Sequence, residues 1–483
     1  MSTLKARTVR NVSYTGISYL LVLIANFVTM AVLARLLTPE EFGIVASALV
    51  VANIFFSIQD LGIMPAIVQR DARVDDSLRV GISIRWISAA ALAIVMIAVS
   101  PLAARAFGQP DVALVLAVLS LNLFVFAFGF YSQTALTRSL RFYEISIATA
   151  VQYLAFSASA LVLAFSGFSY WSLVIGYVAG AMCFVLVLRH FEKPKARPAV
   201  DKNLAKELLA FGKHIIVTNL MAYAIFNVDQ LVIAGTLGAI ALAFYYIAVR
   251  FGRMIGEQLS AVVNRVLFPT MARLRTDVQR LRIGYAQSLR MLAICVLPMS
   301  LGLSALSGIF VESVLGATWL ESVFPLSVLA IAGLFNALAT PSGNVLVSIG
   351  RPRYLSMQST AQAVLLIAFV YPVAVTYGID GVSVLIATLS FGVLVYFMLL
   401  LPRILSCGFR ELYNPLGIPL ASGIVMYGVL FVLANWLEAS LLTLVVLTLV
   451  GLGVYAACLA ALSRGRDVRD FLNLLSNMRT QNE

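Results

Sequence analysis

Charge is scarce in this chain. Of 483 residues, 12% are Asp, Glu, Lys or Arg, about half the share found in a soluble domain. Histidine occurs twice and cysteine four times, so neither a His/Cys metal spacing nor a disulfide framework arises. Cys183, Cys295 and Cys458 fall in apolar runs and Cys407 in a loop, where thiols act as small hydrophobes. There is no Walker loop, no H-E-x-x-H and no serine-nucleophile elbow. Gly451 and Gly453 sit inside an apolar run and form no nucleotide fingerprint. These absences point away from an enzyme, from ATP coupling and from any cofactor. Period-two alternation is also missing, which argues against a membrane β-barrel.

What the chain has is apolar length. Hydrophobic residues make up 61% and the mean hydropathy is +0.96. Runs of roughly 18–25 apolar residues recur throughout, each able to cross the ~30 Å hydrocarbon layer as a helix. About fourteen such spans are expected. Their approximate limits are 13–34, 43–68, 81–104, 111–135, 145–166, 169–189, 215–235, 240–262, 285–309, 322–348, 355–376, 381–401, 416–436 and 441–462. The first is too long for a cleaved signal, whose apolar core runs about 7–15 residues.

Lys and Arg sort sharply between alternate loops. One side takes Lys5, Arg7 and Arg10, Arg70, Arg73 and Arg79, Arg138 and Arg141, the basic runs 189–213 and 265–290, Arg351, Arg353, Arg403, Arg410 and the tail. The other takes only Arg35 and Arg105. By the positive-inside rule both termini are expected in the cytoplasm. The net charge of +12 then reports topology and contact with membrane lipids; nucleic-acid binding would need a basic, aromatic-studded soluble face.

The chain repeats itself. "RFYEISIATAVQYLAFSASALVLAFSGFSYWSLV" from Arg141 is matched by "PRYLSMQSTAQAVLLIAFVYPVAVTYGIDGVSVL" from Pro352, including a mid-span Gln (Gln152, Gln362) and a Gly turn (Gly167, Gly378). "VLARLLTPEEFGIV" and "VIAGTLGAIALAFY" fall at the corresponding offset. Six spans per half give both halves one orientation, as in parallel transporter repeats. The expected organisation is a six-helix lobe over 1–190, a cytoplasmic linker over 191–214, a second six-helix lobe over 215–405, two additional spans over 406–463 and a tail over 464–483. Leu204, Leu208 and Leu209 suggest a linker helix lying at the membrane interface, and Val468, Phe471, Leu472, Leu475 and Met478 an amphipathic tail.

The two-times-six-plus-two layout, "ARLLTPEEFG" after the first span and "NVDQLVIAGTLG" after the linker resemble the polysaccharide-transporter (Wzx-type flippase) branch of the multidrug/oligosaccharidyl-lipid/polysaccharide exporter superfamily. The resemblance covers the chain nearly end to end. It implies an all-α bacterial inner-membrane protein whose two lobes surround a cavity and open alternately to either side. The implied cargo is an undecaprenyl-pyrophosphate-linked oligosaccharide, moved outwards for exopolysaccharide, capsule or O-antigen synthesis. A polysaccharide polymerase and co-polymerase are the implied partners.

Against that apolar background, a few charges stand out. Tyr246, Arg250, Arg253 and Glu257 are spaced by four, three and four residues, so they share one helix face, with Arg253 and Glu257 at ion-pair distance. Arg250 and Arg253 either supply guanidinium forks for a pyrophosphate or are structural. Arg85 either joins them or anchors at the interface. The related lipid II flippases place several arginines in the first lobe's cavity; here the first span has none. Asp229, in "NVDQLVIAG", and Asp60, in "FSIQDLGIMP", read as ion-coupling carboxylates or as hydrogen-bonded packing groups. Tyr245 and Tyr246 either stack on sugars or pack. Pro298, Pro325, Pro341 and Pro372, with Gly302, Gly333 and Gly343, are expected to bend or closely pack the second half. Other function classes stay open: a cation-coupled small-molecule antiporter, a membrane polymerase or ligase, and an assembly scaffold.

Overall fold

The computed structural model describes residues 22, 25–274 and 277–463. All regular structure among them is helical. The amphipathic tail expected after 463 lies outside the described residues. In chain order the helices are α1 (Ala25–Leu36), α2 (Pro39–Ile58), α3 (Ile63–Val68), α4 (Val74–Phe107), α5 (Asp111–Leu119), α6 (Leu121–Arg138), α7 (Phe142–Phe165), α8 (Trp171–Phe191) and α9 (Lys202–Thr236). There follow α10 (Gly238–Leu274), α11 (Val278–Ala305), α12 (Ser307–Phe310), α13 (Val323–Ser348), α14 (Arg353–Leu405), α15 (Phe409–Ala434) and α16 (Leu441–Ser463).

Twelve described helical stretches are long and apolar enough to cross a membrane. One of them, α14, is two helices meeting at Gly378 (φ 63°, ψ −154°), a conformation that only glycine adopts readily. It falls where "TYGID" predicts a turn. With α1 as a shorter apolar helix, the described helices account for the fourteen expected spans. The protein is a multi-pass membrane protein.

Local signals explain the helix limits. Thr38 caps α2: its Oγ1 accepts from Glu41 N at 3.3 Å, and Glu41 Oε2 accepts from Thr38 N at 2.7 Å. With Pro39 at the first helical position, "TPEE" is a complete capping box. Behind it, a Cβ on Gly43 would lie 2.3 Å from Ala239 O. The two repeat-related segments thus touch backbone to backbone. Pro298, Pro341 and Pro372 do lie inside helices. Pro325 differs: it occupies the third position of α13, where a missing N–H breaks no helical bond.

The chain divides into two compact units, Met1–Ala243 and Phe244–Glu483. In the first, Leu204 and Leu208 are 1% and 2% exposed, packed in a cluster with Ile63, Ile67, Leu78 and Phe130. Protein therefore covers most of the leucine face of the expected linker helix. The segment is the first turns of α9, and two of its three leucines face protein; Leu209 alone stays exposed. The extended residues before it form a strap on the same unit. Ala199 N donates to Arg79 O at 3.2 Å, Ser83 Oγ to Ala199 O at 2.7 Å, and Ser132 Oγ to Glu192 O at 2.7 Å. Arg141 pairs with Glu192 at 3.0 Å, Arg73 with Asp201 at 3.1 Å, and Arg70 with Glu207. Leu204 N–H and the Arg73 guanidinium hold the Asp201 carboxyl below its usual range, so it stays ionised at neutral pH.

In the second unit, the two spans outside the repeat are fully integrated. α15 packs Gly423 against Leu297 and Leu301 of α11, and Leu430 meets Gly451 of α16. Buried Tyr285 lies 2.9 Å from Ser342 Oγ, while Tyr413 OH donates to Phe397 O at 3.3 Å, tying α11 to α13 and α15 to α14. Tyr285→Phe is expected to cost about 1 kcal/mol, the net worth of one such bond. Melting in detergent measures it, and no loss would show the Tyr285–Ser342 bond to be idle.

Candidate functional site

Two groups of polar side chains interrupt the apolar helices, one in each unit. The first forms where the span Pro39–Val68 breaks. Leu61 (φ 49°) and Gly62 (φ 68°) are both left-handed, separating α2 from α3. A break at membrane depth frees backbone groups that need new partners. Arg85 Nη1 donates to Gln59 O, Ser88 Oγ donates to the same oxygen at 3.4 Å, and Asn219 Nδ2 donates to Ser57 O at 3.1 Å. Asp60 Oδ2 accepts from Met64 N at 3.3 Å, capping α3. Close packing completes the node, since a Cβ on Gly212 would fall 1.9 Å from Leu61 O.

Arg85 is 4% exposed, and the Asp60 carboxylate lies within its electrostatic reach. The structure thus brings Arg85 and Asp60 together and occupies the guanidinium with a backbone carbonyl. Arg85, expected either to join the anion-binding arginines or to anchor at the interface, here donates to the backbone of the broken span. Its work is to satisfy a broken helix.

Asp229 is 1% exposed and lies on α9, with Oδ1 accepting from Gln230 N at 2.9 Å. Tyr223, which donates to Val50 O, lies within its electrostatic reach. Asn227 Nδ2 donates to Tyr223 O at 3.1 Å and Gln230 Nε2 to Asn227 Oδ1 at 3.5 Å. Positions 223, 227 and 230 follow helical spacing, so this polar row runs along one side of α9.

The second group lies on α10. A Cβ on Gly256 would come within 2.3 Å of Gly333 O, and one on Gly252 within 3.1 Å of Ala330 N. Gly252-x-x-x-Gly256 is therefore a small-residue seam on which α10 and α13 approach backbone to backbone. Phe251 meets Phe310 at 5.5 Å and Phe244 meets Trp319 at 5.8 Å between ring centroids, flanking the seam about a third of a turn away from it, opposite to the charged face.

At about 100° per residue, Tyr246, Arg250, Arg253 and Glu257 lie roughly a quarter to a third of a turn from the seam. They escape its burial: Tyr246, Arg250 and Arg253 are half-buried and Glu257 is exposed. Glu257 interacts electrostatically with Arg253 first and Arg250 second. On α10 itself this face carries two guanidiniums and one carboxylate. Tyr245, by contrast, is 0% exposed, which removes it as a sugar-stacking candidate. Gly333 serves close packing, as one of its two expected roles. The glycine pair is readable from its i, i+4 spacing, but its partner Gly333 lies on another helix.

Two further polar side chains of the second unit, Asn336 and Gln362, are hydrogen-bonded. Asn336 Nδ2 donates to Ser390 Oγ at 3.1 Å, joining α13 to α14. Gln362 accepts from Gln358 at 2.9 Å within α14. Among the described residues no group of three or more His, Cys, Asp or Glu could hold a metal ion.

Comparison with known proteins places this geometry. A family profile described as "Polysaccharide biosynthesis protein" matches residues 32–324, more than half of the chain. The lipopolysaccharide biosynthesis protein WzxC of Escherichia coli is 25% identical, over 90% of each chain. The teichuronic acid biosynthesis protein TuaB of Bacillus subtilis is 24% identical, over 89% of this chain and 90% of its own. Among solved structures, the lipid II flippase MurJ in an inward closed conformation aligns with a TM-score of 0.77 at 14% identity, covering 93% of this chain and 99% of that one. An inward-facing multidrug resistance transporter of the MATE family aligns at 0.59 with 16% identity, over 79% of this chain and 94% of that one. At these identities the structures report the fold alone. The chain belongs to the family that this profile describes, the polysaccharide biosynthesis proteins.

Proposed function

We propose that the protein flips an undecaprenyl-pyrophosphate-linked oligosaccharide from the inner to the outer leaflet of the bacterial cytoplasmic membrane by alternating access. Both termini face the cytoplasm in this reading, as the charge bias requires. The observation that carries it is the half-buried, arginine-bearing face of α10. The glycine seam buries one side of the helix and leaves Arg250 and Arg253 half-buried on another. An ionised side chain at membrane depth costs about 2.5–3.5 kcal/mol on insertion scales. A pyrophosphate offsets that cost, because each guanidinium presents a planar fork to two phosphate oxygens. The membrane potential helps as well: each negative charge moved outwards gains about 2.3 kcal/mol per 100 mV.

The test is to deplete the protein in cells and locate lipid-linked repeat units by leaflet. They are expected to accumulate inside and to be cleared by the wild type. Arg250→Ala at equal abundance is expected to slow clearance at least about tenfold, since a charged hydrogen bond contributes about 1.5–3 kcal/mol. Normal leaflet distribution after depletion ends the reading; full rescue by Arg250→Ala removes the arginine from it. A second reading, ion-coupled exchange, draws on the buried Asp229 carboxylate. Asp229→Asn should then abolish dependence on an imposed proton or sodium gradient.

A further inference from the structure

We infer that the strap between α8 and α9 is a docking surface for anionic phospholipid headgroups. Residues 192–207 hold three acids, Glu192, Asp201 and Glu207, and all three are engaged within the first unit. Glu192 pairs with Arg141 at 3.0 Å, Asp201 with Arg73 at 3.1 Å, and Glu207 with Arg70. The segment's own cations point the other way. Lys193, Lys195, Arg197, Lys202 and Lys206 are all exposed, and of these only Lys195 forms an ion pair among the described residues, 3.2 Å from Glu192 and 76% exposed. An exposed pair of that kind contributes little. Folding therefore separates the charges of this stretch. Its acids hold it to the protein and its cations form the outer layer.

Two further features select a lipid surface as the occupant. Apolar Val200, 82% exposed, lies among the cations, with Phe211, 42% exposed, a few residues further on; such side chains suit the boundary between headgroups and acyl chains. The strap also cannot leave that boundary. Its extended part, 193–201, reaches at most about 30 Å at ~3.3–3.6 Å per residue, and both ends continue into spans, α8 and α9. Hydrogen bonds to Arg79, Ser83 and Ser132 pin it along its length. Its cations thus stay near the headgroups, where a polybasic segment feels anionic lipid. This inference does not depend on what the protein transports.

The test uses the full-length protein in phosphatidylcholine nanodiscs with and without phosphatidylglycerol. Phosphatidylglycerol affinity is read by native mass spectrometry and stability by melting. The variant Lys202→Gln/Lys206→Gln changes two side chains that form no ion pair among the described residues, so it should melt like the wild type in phosphatidylcholine. Each cation near a charged surface is worth a factor of about five, so phosphatidylglycerol affinity is expected to fall about 25-fold, with phosphatidylcholine unaffected. High salt should erase the difference. Unchanged phosphatidylglycerol affinity in the variant overturns the inference, and so does equal binding of both lipids by the wild type. Selective loss of binding to an acidic peptide, with phosphatidylglycerol affinity intact, would assign the strap to a protein partner and also overturn it.

Discussion

Gly256→Ala is expected to deplete folded protein in the membrane by more than tenfold. The added carbon would lie 2.3 Å from Gly333 O, 2.8 Å from its C and 3.2 Å from its Cα. All three are backbone atoms of α13, so no rotamer change can make room. The helices must part by about an ångström, disturbing the Phe251–Phe310 and Phe244–Trp319 contacts that flank the seam. Overpacking of this kind costs about 1–3 kcal/mol and more against rigid backbone. Gly453→Ala is the control, because nothing lies within 4 Å of a Cβ there. It should be neutral or gain up to about 1 kcal/mol from helix propensity. Fluorescence-detected size exclusion and melting in detergent read both. Equal behaviour of the two variants would contradict the seam.

Arg85→Ala should be nearly as damaging, for a different reason. It strips Gln59 O of its charged donor and leaves Asp60 without its cation in a site where Arg85 is 4% exposed. Removing a charged donor from a buried acceptor costs about 1.5–3 kcal/mol. What remains at the break is Ser88 Oγ on Gln59 O at 3.4 Å, Asn219 on Ser57 O and Met64 N on Asp60, all without a cation. The melting temperature should drop sharply, while KM for lipid-linked substrate in the surviving protein stays unchanged. Asp60→Asn combined with Arg85→Ala should cost less than the sum of the single changes, with a coupling above about 0.5 kcal/mol. A raised KM at unaltered stability would return Arg85 to the role of anion ligand.

These two cases show where a sequence yields its fold and where it does not. The spans are legible because hydrocarbon thickness imposes one length on every apolar run. Thr38-Pro39-Glu40-Glu41 is legible because a capping box is local. The break at 59–62 is not. Gln-Asp-Leu-Gly inside an apolar stretch reads equally as a polar helical turn, and Arg85 and Asn219, which complete it, stand 26 and 160 residues beyond Gln59 and convert two stray polar residues into one device. Leu204 and Leu208 pose the same difficulty. Their spacing marks a buried helix face and is silent on whether lipid or protein buries it; Ile63, Ile67, Leu78 and Phe130 decide. On α10 the charges were legible as a face by their period, but the reason that face stays open is Gly333, supplied from another helix.

The strap also bears on how the polypeptide is made. Ile63, Ile67, Leu78 and Phe130 find their cover only when Leu204 and Leu208 arrive. Until the ribosome has passed the start of α9, the earlier helices sit in the bilayer with an apolar notch unfilled. A gene split after residue 190, at the apparent seam between repeats, would make that notch permanent. A split after residue 243 would leave each fragment its own interior.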